Sequence, residues 1–118
     1  MKTCYRDIEA YTTRDGSTIR ELLHPAAHGS RMQSLAEAVI SPGERTLLHR
    51  HRLSEELYHV TNGSGLMILG DETLAIAVGD TVLIPPGTAH CVTATGTEPL
   101  HILCCCSPAY RHDDTDLL

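Results

Sequence analysis

The sequence contains no tryptophan and no phenylalanine among its 118 residues, and it has only nine lysines and arginines. These basic residues are scattered along the chain, and 15 acidic residues bring the formal net charge to −6. Nucleic-acid-binding proteins usually carry a clustered basic surface, often with aromatic side chains that stack on bases. The composition therefore argues against a nucleic-acid partner.

Long apolar runs are also missing. No run approaches the roughly 18 residues of a membrane helix, and the first residues, MKTCYRDIEAY, carry charge without the apolar core of a secretion signal. The five cysteines are an odd number, and three of them are consecutive, at Cys104, Cys105 and Cys106. Because neighbours in a strand face opposite sides, this pattern does not suit a disulfide framework. We expect a reduced, cytoplasmic protein without membrane association, whose cysteines are buried structural residues.

What the sequence does contain is a series of short strand-like segments separated by glycine and proline. No helical period is sustained, so the pattern predicts a single all-β domain, either a barrel or a sandwich. We expect an N-terminal arm at 1–16, a barrel at 17–110 and an acidic C-terminal tail at 111–118 that packs only in part, with a polar loop of solvated histidines at 24–30. The predicted strands are 17–23, 32–40, 46–51, 55–60, 65–69, 73–78, 81–84, 90–93 and 100–106.

Histidines are concentrated in the segment 43–63, GERTLLHRHRLSEELYHVTNG. His49 and His51 are two residues apart, which in a strand places both side chains on one face, about 6.6 Å apart along the chain. A third candidate, His90, follows a Pro85-Pro86-Gly87 turn. Since a barrel brings distant strands together around one interior, these three imidazoles can share one ion.

The accompanying carboxylate is ambiguous from the residues alone. Alternation in the strand at 55–60 places Glu56 and Tyr58 on one face, and Glu55 and His59 on the other. A bend expected at 52–54 resets the parity relative to the histidines, so either face can be the inner one.

Two segments resemble the motifs of the cupin superfamily, in particular its small single-domain members. The first motif is filled in register by Gly43, His49, His51, Glu56 and Gly63. The second is filled by Gly79, Pro85, Gly87 and His90, with Ala94 where the family has asparagine.

The resemblance implies a jelly-roll barrel, the double-stranded β-helix of cupins, with a divalent ion held by His49, His51, Glu56 and His90. Tyr58 would then face inward as a candidate catalytic proton donor or substrate anchor, and His59 would face outward. Fe²⁺ and Mn²⁺ are the favoured ions, because they keep coordination positions open; Ni²⁺, Co²⁺ and Cu²⁺ are alternatives, and Zn²⁺ would tend to close the site.

Such a site favours an enzyme that acts on a small, oxygen-rich hydroxy, keto or acid substrate. The resemblance makes dioxygenase-type cleavage the first hypothesis. A metal-assisted isomerase, epimerase or dehydratase is the second, and a cupin that binds a small ligand without catalysis is the third. We also expect a homodimer, because an open jelly roll leaves sheet edges that natural proteins cover, and the strand at 17–23 is suited to cover one.

Overall fold

The computed structural model describes residues 1–118 and contains eleven β-strands and very little helix. The strands are β1 (Tyr11–Thr12), β2 (Thr18–Leu23), β3 (Ser34–Ile40), β4 (His49–His51), β5 (Glu55–Asn62), β6 (Ser64–Leu69), β7 (Glu72–Ala77), β8 (Thr81–Ile84), β9 (His90–Ala94), β10 (Leu100–Ser107) and β11 (Thr115–Leu117). The helical segments are α1 (Pro25–His28) and two 3₁₀ turns, Tyr5–Asp7 and His112–Asp114.

The strands form two antiparallel sheets that enclose one interior. The six-stranded sheet has the order β1-β2-β3-β10-β5-β8, and the five-stranded sheet has the order β11-β4-β9-β6-β7. Neighbours in space are distant in sequence, as in the pairing of β10 with both β3 and β5. This arrangement confirms the predicted all-β jelly roll.

The segment 24–30, predicted as a loop, contains the short helix α1. His24 caps its start, where the ring Nδ1 accepts a hydrogen bond from the Ala26 N–H at 3.0 Å, and Pro25 occupies the first turn. The prediction of solvated histidines is wrong for His24, whose Nε2 lies 2.7 Å from the Tyr110 carbonyl.

The helices of the structure are too short and too polar to span a lipid bilayer.

The interior divides into an apolar half and a polar half. Along β10, the inward residues Leu100 and Ile102 are fully buried in the apolar half, whereas Cys104 and Cys106 face the polar half. Alternation in β5 follows the same axis, because Val60 pairs with Ile102 and Glu56 pairs with Cys106. The register of β5 and β10 therefore places Glu56 and Cys106 side by side in the polar half of the interior.

Both terminal segments contribute a strand to the sheets. β1 extends the six-stranded sheet through the pairing of Tyr11 with Ile19, and β11 extends the five-stranded sheet through the pairing of Thr115 with His51. The sheets thus reach beyond residues 17–110 at both ends. In the tail, Asp114 and Thr115 are buried, whereas most of the other residues of 111–118 are exposed, so this segment packs in part.

Candidate metal centre and cavity

Three buried histidines meet at the polar end of the barrel. β4 lies beside β9 with His49 opposite His90, and His51 lies two residues further along β4 on the same face. The ring centroids of His49 and His90 are 4.2 Å apart, and the centroid of His51 is 5.2 Å from that of His49 and 5.4 Å from that of His90. One nitrogen from each ring lies within 4.8 Å of the others. The structure therefore brings together the three histidines that sequence spacing singled out.

Backbone carbonyls fix the tautomers of two of these rings. His49 Nδ1 lies 2.7 Å from the Leu47 oxygen, and His90 Nδ1 lies 2.9 Å from the Thr88 oxygen. Because a carbonyl can only accept a hydrogen bond, each neutral ring carries its proton on Nδ1. The Nε2 atoms, which point into the cluster, therefore have free lone pairs.

The third ring is oriented by the C-terminal tail. His51 Nδ1 lies 3.0 Å from the Thr115 hydroxyl, and this hydroxyl donates its own proton to the Arg111 carbonyl at 3.0 Å. The hydroxyl is thus left to accept from His51 Nδ1, and His51 Nε2 also has a free lone pair. Outer partners of this kind are what hold metal-binding histidines in position.

Glu56 lies on the β5 side of the cluster. Its Oε1 is 3.2 Å from His51 Nε2 and 3.5 Å from His90 Nε2, and its Oε2 accepts a hydrogen bond from the Cys106 thiol at 3.2 Å. Glu56 Oε1 and His90 Nε2 are buried and have no hydrogen-bond partner. Buried acceptors rarely face each other without a positive charge between them, and three imidazoles with one carboxylate suit a divalent transition ion. The residues present therefore fit the ion that the fold implies.

The pKa values of Glu56, His51 and His49 are shifted by their surroundings. Burial opposes ionisation of Glu56, but the nearby His51 and His90 rings, when protonated, outweigh it and lower its pKa to about 2. Burial likewise opposes protonation of His51, yet the neighbouring Glu56 carboxylate raises its pKa above the ordinary value. Burial and the neighbouring His90 lower the pKa of His49. Glu56 is therefore a carboxylate at neutral pH.

The structure also selects one face of β5. Glu56 and Tyr58 point inward and are buried, whereas Glu55 and His59 are exposed. The Tyr58 ring lies 6.0 Å from the His90 ring, and its pKa is raised by burial and by the charge of Glu56. His59 instead lies 2.7 Å from the Thr81 hydroxyl on the outer surface.

The bend before β5 has a cause that sequence patterns do not reveal. The N–H groups of Leu53 and Ser54 donate to the two oxygens of the Asp114 carboxylate, at 2.9 and 3.1 Å. Asp114, a residue of the tail, therefore fixes the bend that determines which face of β5, that of Glu56 or that of Glu55, points inward.

A cavity of about 50 Å³ adjoins the cluster, between the sheets. Its apolar wall is formed by Ile19, Ala36, Ala38 and Tyr58. Its polar lining includes Tyr11, Thr13, Asp15, Ser17, Glu21 and Tyr110. Sequence reasoning missed every member of this polar group, because these residues belong to no motif and lie in the arm, in or directly before β2, and next to the tail.

Two acidic groups of this lining are notable. The Tyr11 hydroxyl donates to Glu21 Oε1 at 2.8 Å, whereas Glu21 Oε2 is buried without a partner. Asp15 Oδ2 lies 3.6 Å from His49 Nε2. The cavity thus has one acid beside the histidines and a second with a free oxygen.

Comparison with known proteins identifies the family. The model of the cupin domain family matches residues 36–106, so the chain belongs to this family, as its motifs indicate. An uncharacterised protein of Methanocaldococcus jannaschii, MJ1618, is 50% identical over 118 residues, covering 100% of this chain and 94% of its own. The polyketide synthase CurC of Streptomyces cyaneus is 30% identical, covering 94% and 75%.

A solved structure gives the same answer. The polyketide cyclase RemF of Streptomyces resistomycificus superimposes with a TM-score of 0.79 at 26% identity, covering 91% of this chain and 79% of that one. The chain thus shares the cupin barrel with a protein described as a cyclase.

Proposed function

We propose that the protein is a metal-dependent enzyme that transfers a proton beside a carbonyl group of a small keto or hydroxy substrate. The reaction class comprises cyclisation, dehydration and isomerisation. The observation that carries the proposal is the cavity itself, whose lining includes His49, His51 and Glu56 of the metal centre together with Glu21, whose buried Oε2 has no partner.

The ion would be held by the Nε2 atoms of the three histidines and by Glu56 Oε1. When bound, a divalent ion supplies a Lewis acid that polarises a substrate oxygen. Cys106 and Thr115 support this set from outside, by donating to Glu56 and accepting from His51. Both contacts keep the ligand atoms directed at the cluster.

Glu21 is suited to accept the proton. Its Oε1 is held by the Tyr11 hydroxyl, so its orientation is fixed, and its buried Oε2 has no partner and can accept a proton. Tyr58 and Tyr110 remain protonated at neutral pH, because burial raises both of their pKa values. They can therefore donate to a substrate oxygen.

The size of the cavity limits the substrate. One water requires roughly 10–15 Å³ of such a volume, so about 50 Å³ holds a few waters or a molecule of few non-hydrogen atoms. CurC and RemF are named for polyketide chemistry. Cyclisation of a keto compound begins with loss of a proton beside a carbonyl, which requires a base and a polarised oxygen but no molecular oxygen. We therefore rank proton transfer first, on a smaller keto compound.

Oxygen-dependent cleavage is the second candidate. Three histidines and one carboxylate suit Fe²⁺ and leave two of six positions for a substrate and oxygen. In this reaction oxygen would bind at the open positions of the ion, and the observation on Glu21 does not by itself favour it.

The test measures proton exchange in the absence of oxygen. Metal-free protein is loaded with Mn²⁺, Fe²⁺ or Zn²⁺ and incubated anaerobically in D₂O with pyruvate and 2-ketobutyrate, and loss of the C–H signal beside the carbonyl is followed by NMR. We expect protein-dependent exchange above that of the free ion, lost in Glu56→Gln and Glu21→Gln and retained in the exposed control Glu55→Gln. Turnover that starts only with oxygen and consumes it would favour the second candidate. Binding without any turnover would contradict an enzymatic role.

A further inference from the structure

We propose that Asp15 is a second carboxylate ligand of the metal centre. Glu56 belongs to β5, whereas Asp15 lies in the turn that precedes β2. The inference rests on the metal centre proposed above. No motif points to this residue, which belongs to the N-terminal arm predicted at 1–16.

The Asp15 carboxylate is held in one orientation. Its Oδ1 accepts two hydrogen bonds from Ser17, one from the backbone N–H at 2.9 Å and one from the hydroxyl at 2.7 Å. Ser17 is buried, so solvent does not compete for these bonds. The second oxygen, Oδ2, takes no part in them and lies 3.6 Å from His49 Nε2.

The turn that carries Asp15 is fastened to the same segment as the histidine. The Leu47 N–H donates to the Asp15 carbonyl at 2.8 Å, and the Leu47 carbonyl accepts from His49 Nδ1 at 2.7 Å. The neighbouring Arg14 donates to the carbonyls of His112 and Thr115 at 3.0 and 2.9 Å. The position of the carboxylate relative to the ring is therefore built into the fold.

The chemistry of the two facing atoms indicates a cation. His49 Nε2 has a free lone pair, since its proton is on Nδ1, and Asp15 Oδ2 is an acceptor as well. Two atoms bound to one ion at about 2.1 Å lie about 3.0 Å apart at right angles and about 4.2 Å apart when opposite. The distance of 3.6 Å falls in this range, as do the distances of 3.2 and 3.5 Å from Glu56 Oε1 to His51 and His90. Only the three histidine nitrogens all lie within 4.8 Å of one another, so both carboxylates would have to move closer to the cluster when an ion binds.

A fifth protein ligand narrows the substrate class. Two carboxylates neutralise a divalent ion, whereas Glu56 alone leaves one positive charge. In six-fold coordination, three histidines and two carboxylates leave one position, so the substrate would bind through a single oxygen. We therefore infer an uncharged carbonyl or hydroxyl at the ion, and not a chelating dianion.

The experiment measures Mn²⁺ binding, not turnover. Metal-free protein is titrated with Mn²⁺, free ion is quantified by electron paramagnetic resonance, and the number of exchangeable waters on the bound ion is obtained from water-proton relaxation. Asp15→Ala should weaken binding by about tenfold or more and add one exchangeable water. Asp15→Asn keeps the bonds to Ser17 and should weaken binding with the turn intact. Ser17→Ala keeps the carboxylate but loosens it, and should give an intermediate loss.

The control in the same arm is Asp7→Asn, an exposed acid, which should bind Mn²⁺ as the wild type does. Unchanged affinity and an unchanged number of waters in both Asp15 variants, with Glu56→Gln impaired, would overturn the role of Asp15 and leave the metal centre standing. Failure of the wild type to bind Mn²⁺ at all would overturn the proposal together with the proposed function.

Discussion

Each ring of the histidine cluster uses its Nδ1 proton on an oxygen outside the cluster, so each has one remaining nitrogen to offer an ion. We therefore predict that His49→Ala, His51→Ala, His90→Ala and Glu56→Gln each lose most of the bound metal, with affinity reduced by well over tenfold. The barrel should remain folded, because its fully buried apolar residues, such as Val60, Leu100 and Ile102, are unchanged in these variants. Elemental analysis after gel filtration, with circular dichroism as a check on folding, measures this.

Glu55→Gln is the matched control, since Glu55 is exposed on the opposite face of β5. Full metal stoichiometry in any one of the four site variants would remove that residue from the centre. Loss of metal in Glu55→Gln with retention in Glu56→Gln would show that the wrong carboxylate is assigned.

Protons compete with the ion for the same atoms, and the sign of the competition follows from two opposite pKa shifts. The pKa of Glu56 is lowered from 4.5 to about 2, so its contribution to stability is present above about pH 4.5 and is lost as the pH falls towards 2. The pKa of His51 is raised above 6.5, so its protonated form stabilises the metal-free protein below that pH and loses this effect as the pH rises through the raised pKa.

A bound ion requires a neutral His51, whereas the metal-free protein is stabilised by a protonated one. The rise in melting temperature on adding Mn²⁺ should therefore grow as the pH increases from about 6 to about 8. Thermal unfolding with and without the ion, at several pH values, measures it. Metal retained at full occupancy at about pH 4 would contradict a centre dominated by histidine.

The Cys106 thiol is a support for Glu56 more than a reactive group. Burial and the charge of Glu56 raise its pKa far above the ordinary range, so it stays protonated and donates to Glu56 Oε2. Cys106→Ala should weaken metal binding by about tenfold, and Cys106→Ser should restore most of it. Equal affinity in the alanine variant and the wild type, by chelator competition, would contradict the supporting role. The half-buried neighbour Cys105 serves as the control.

At the scale of elements, the C-terminal strand β11 is part of the site because it completes the outer contact of His51. We predict that Thr115→Val leaves His51 Nδ1 without an acceptor, lowers the free energy of unfolding by about 1–3 kcal/mol and weakens metal binding. Urea denaturation of the metal-free protein and a separate metal titration distinguish these effects.

Thr115→Ser retains the hydroxyl and should restore both quantities. If the valine variant were as stable as the wild type and bound metal equally well, the hydroxyl would have no part in orienting the ring. Because the serine variant keeps the hydroxyl and lacks only the methyl group, it distinguishes loss of the hydrogen bond from a change in packing.

The strands also show how far sequence patterns extend. The period of two places His49 and His51 on one face, and a turn before His90 starts the strand that pairs with them, so the local pattern suffices to find the histidines. The inward face of β5 depends on Asp114, which is 60 residues away from Ser54. From the sequence, this face could be predicted only through the resemblance to the family motif. Asp15 and Thr115 have no local signal, because their contacts with the site exist only once both termini join the sheets.

At the scale of the whole molecule, the edges of the sheets expose backbone groups that have no strand partner. The six-stranded sheet ends in β1, which has only two residues: Tyr11 pairs with Ile19, and Thr12 pairs with Thr18. The remainder of β2, from Arg20 to Leu23, pairs with β3 on one side and has no strand on the other. Natural proteins usually cover such an edge.

We predict a homodimer in which this part of β2 is covered by a second copy, as expected for the strand at 17–23. Light scattering at micromolar concentration should give twice the chain mass of 12.9 kDa. Hydrogen exchange should slow with increasing protein concentration at the amides of Arg20–Leu23, because association buries them, whereas the opposite edge of the sheet, β8, should exchange independently of concentration. A monomeric mass with Arg20–Leu23 already protected would show that the chain covers its own edge. Concentration-dependent protection at β8 in place of β2 would show that the dimer forms through the other side of the sheet.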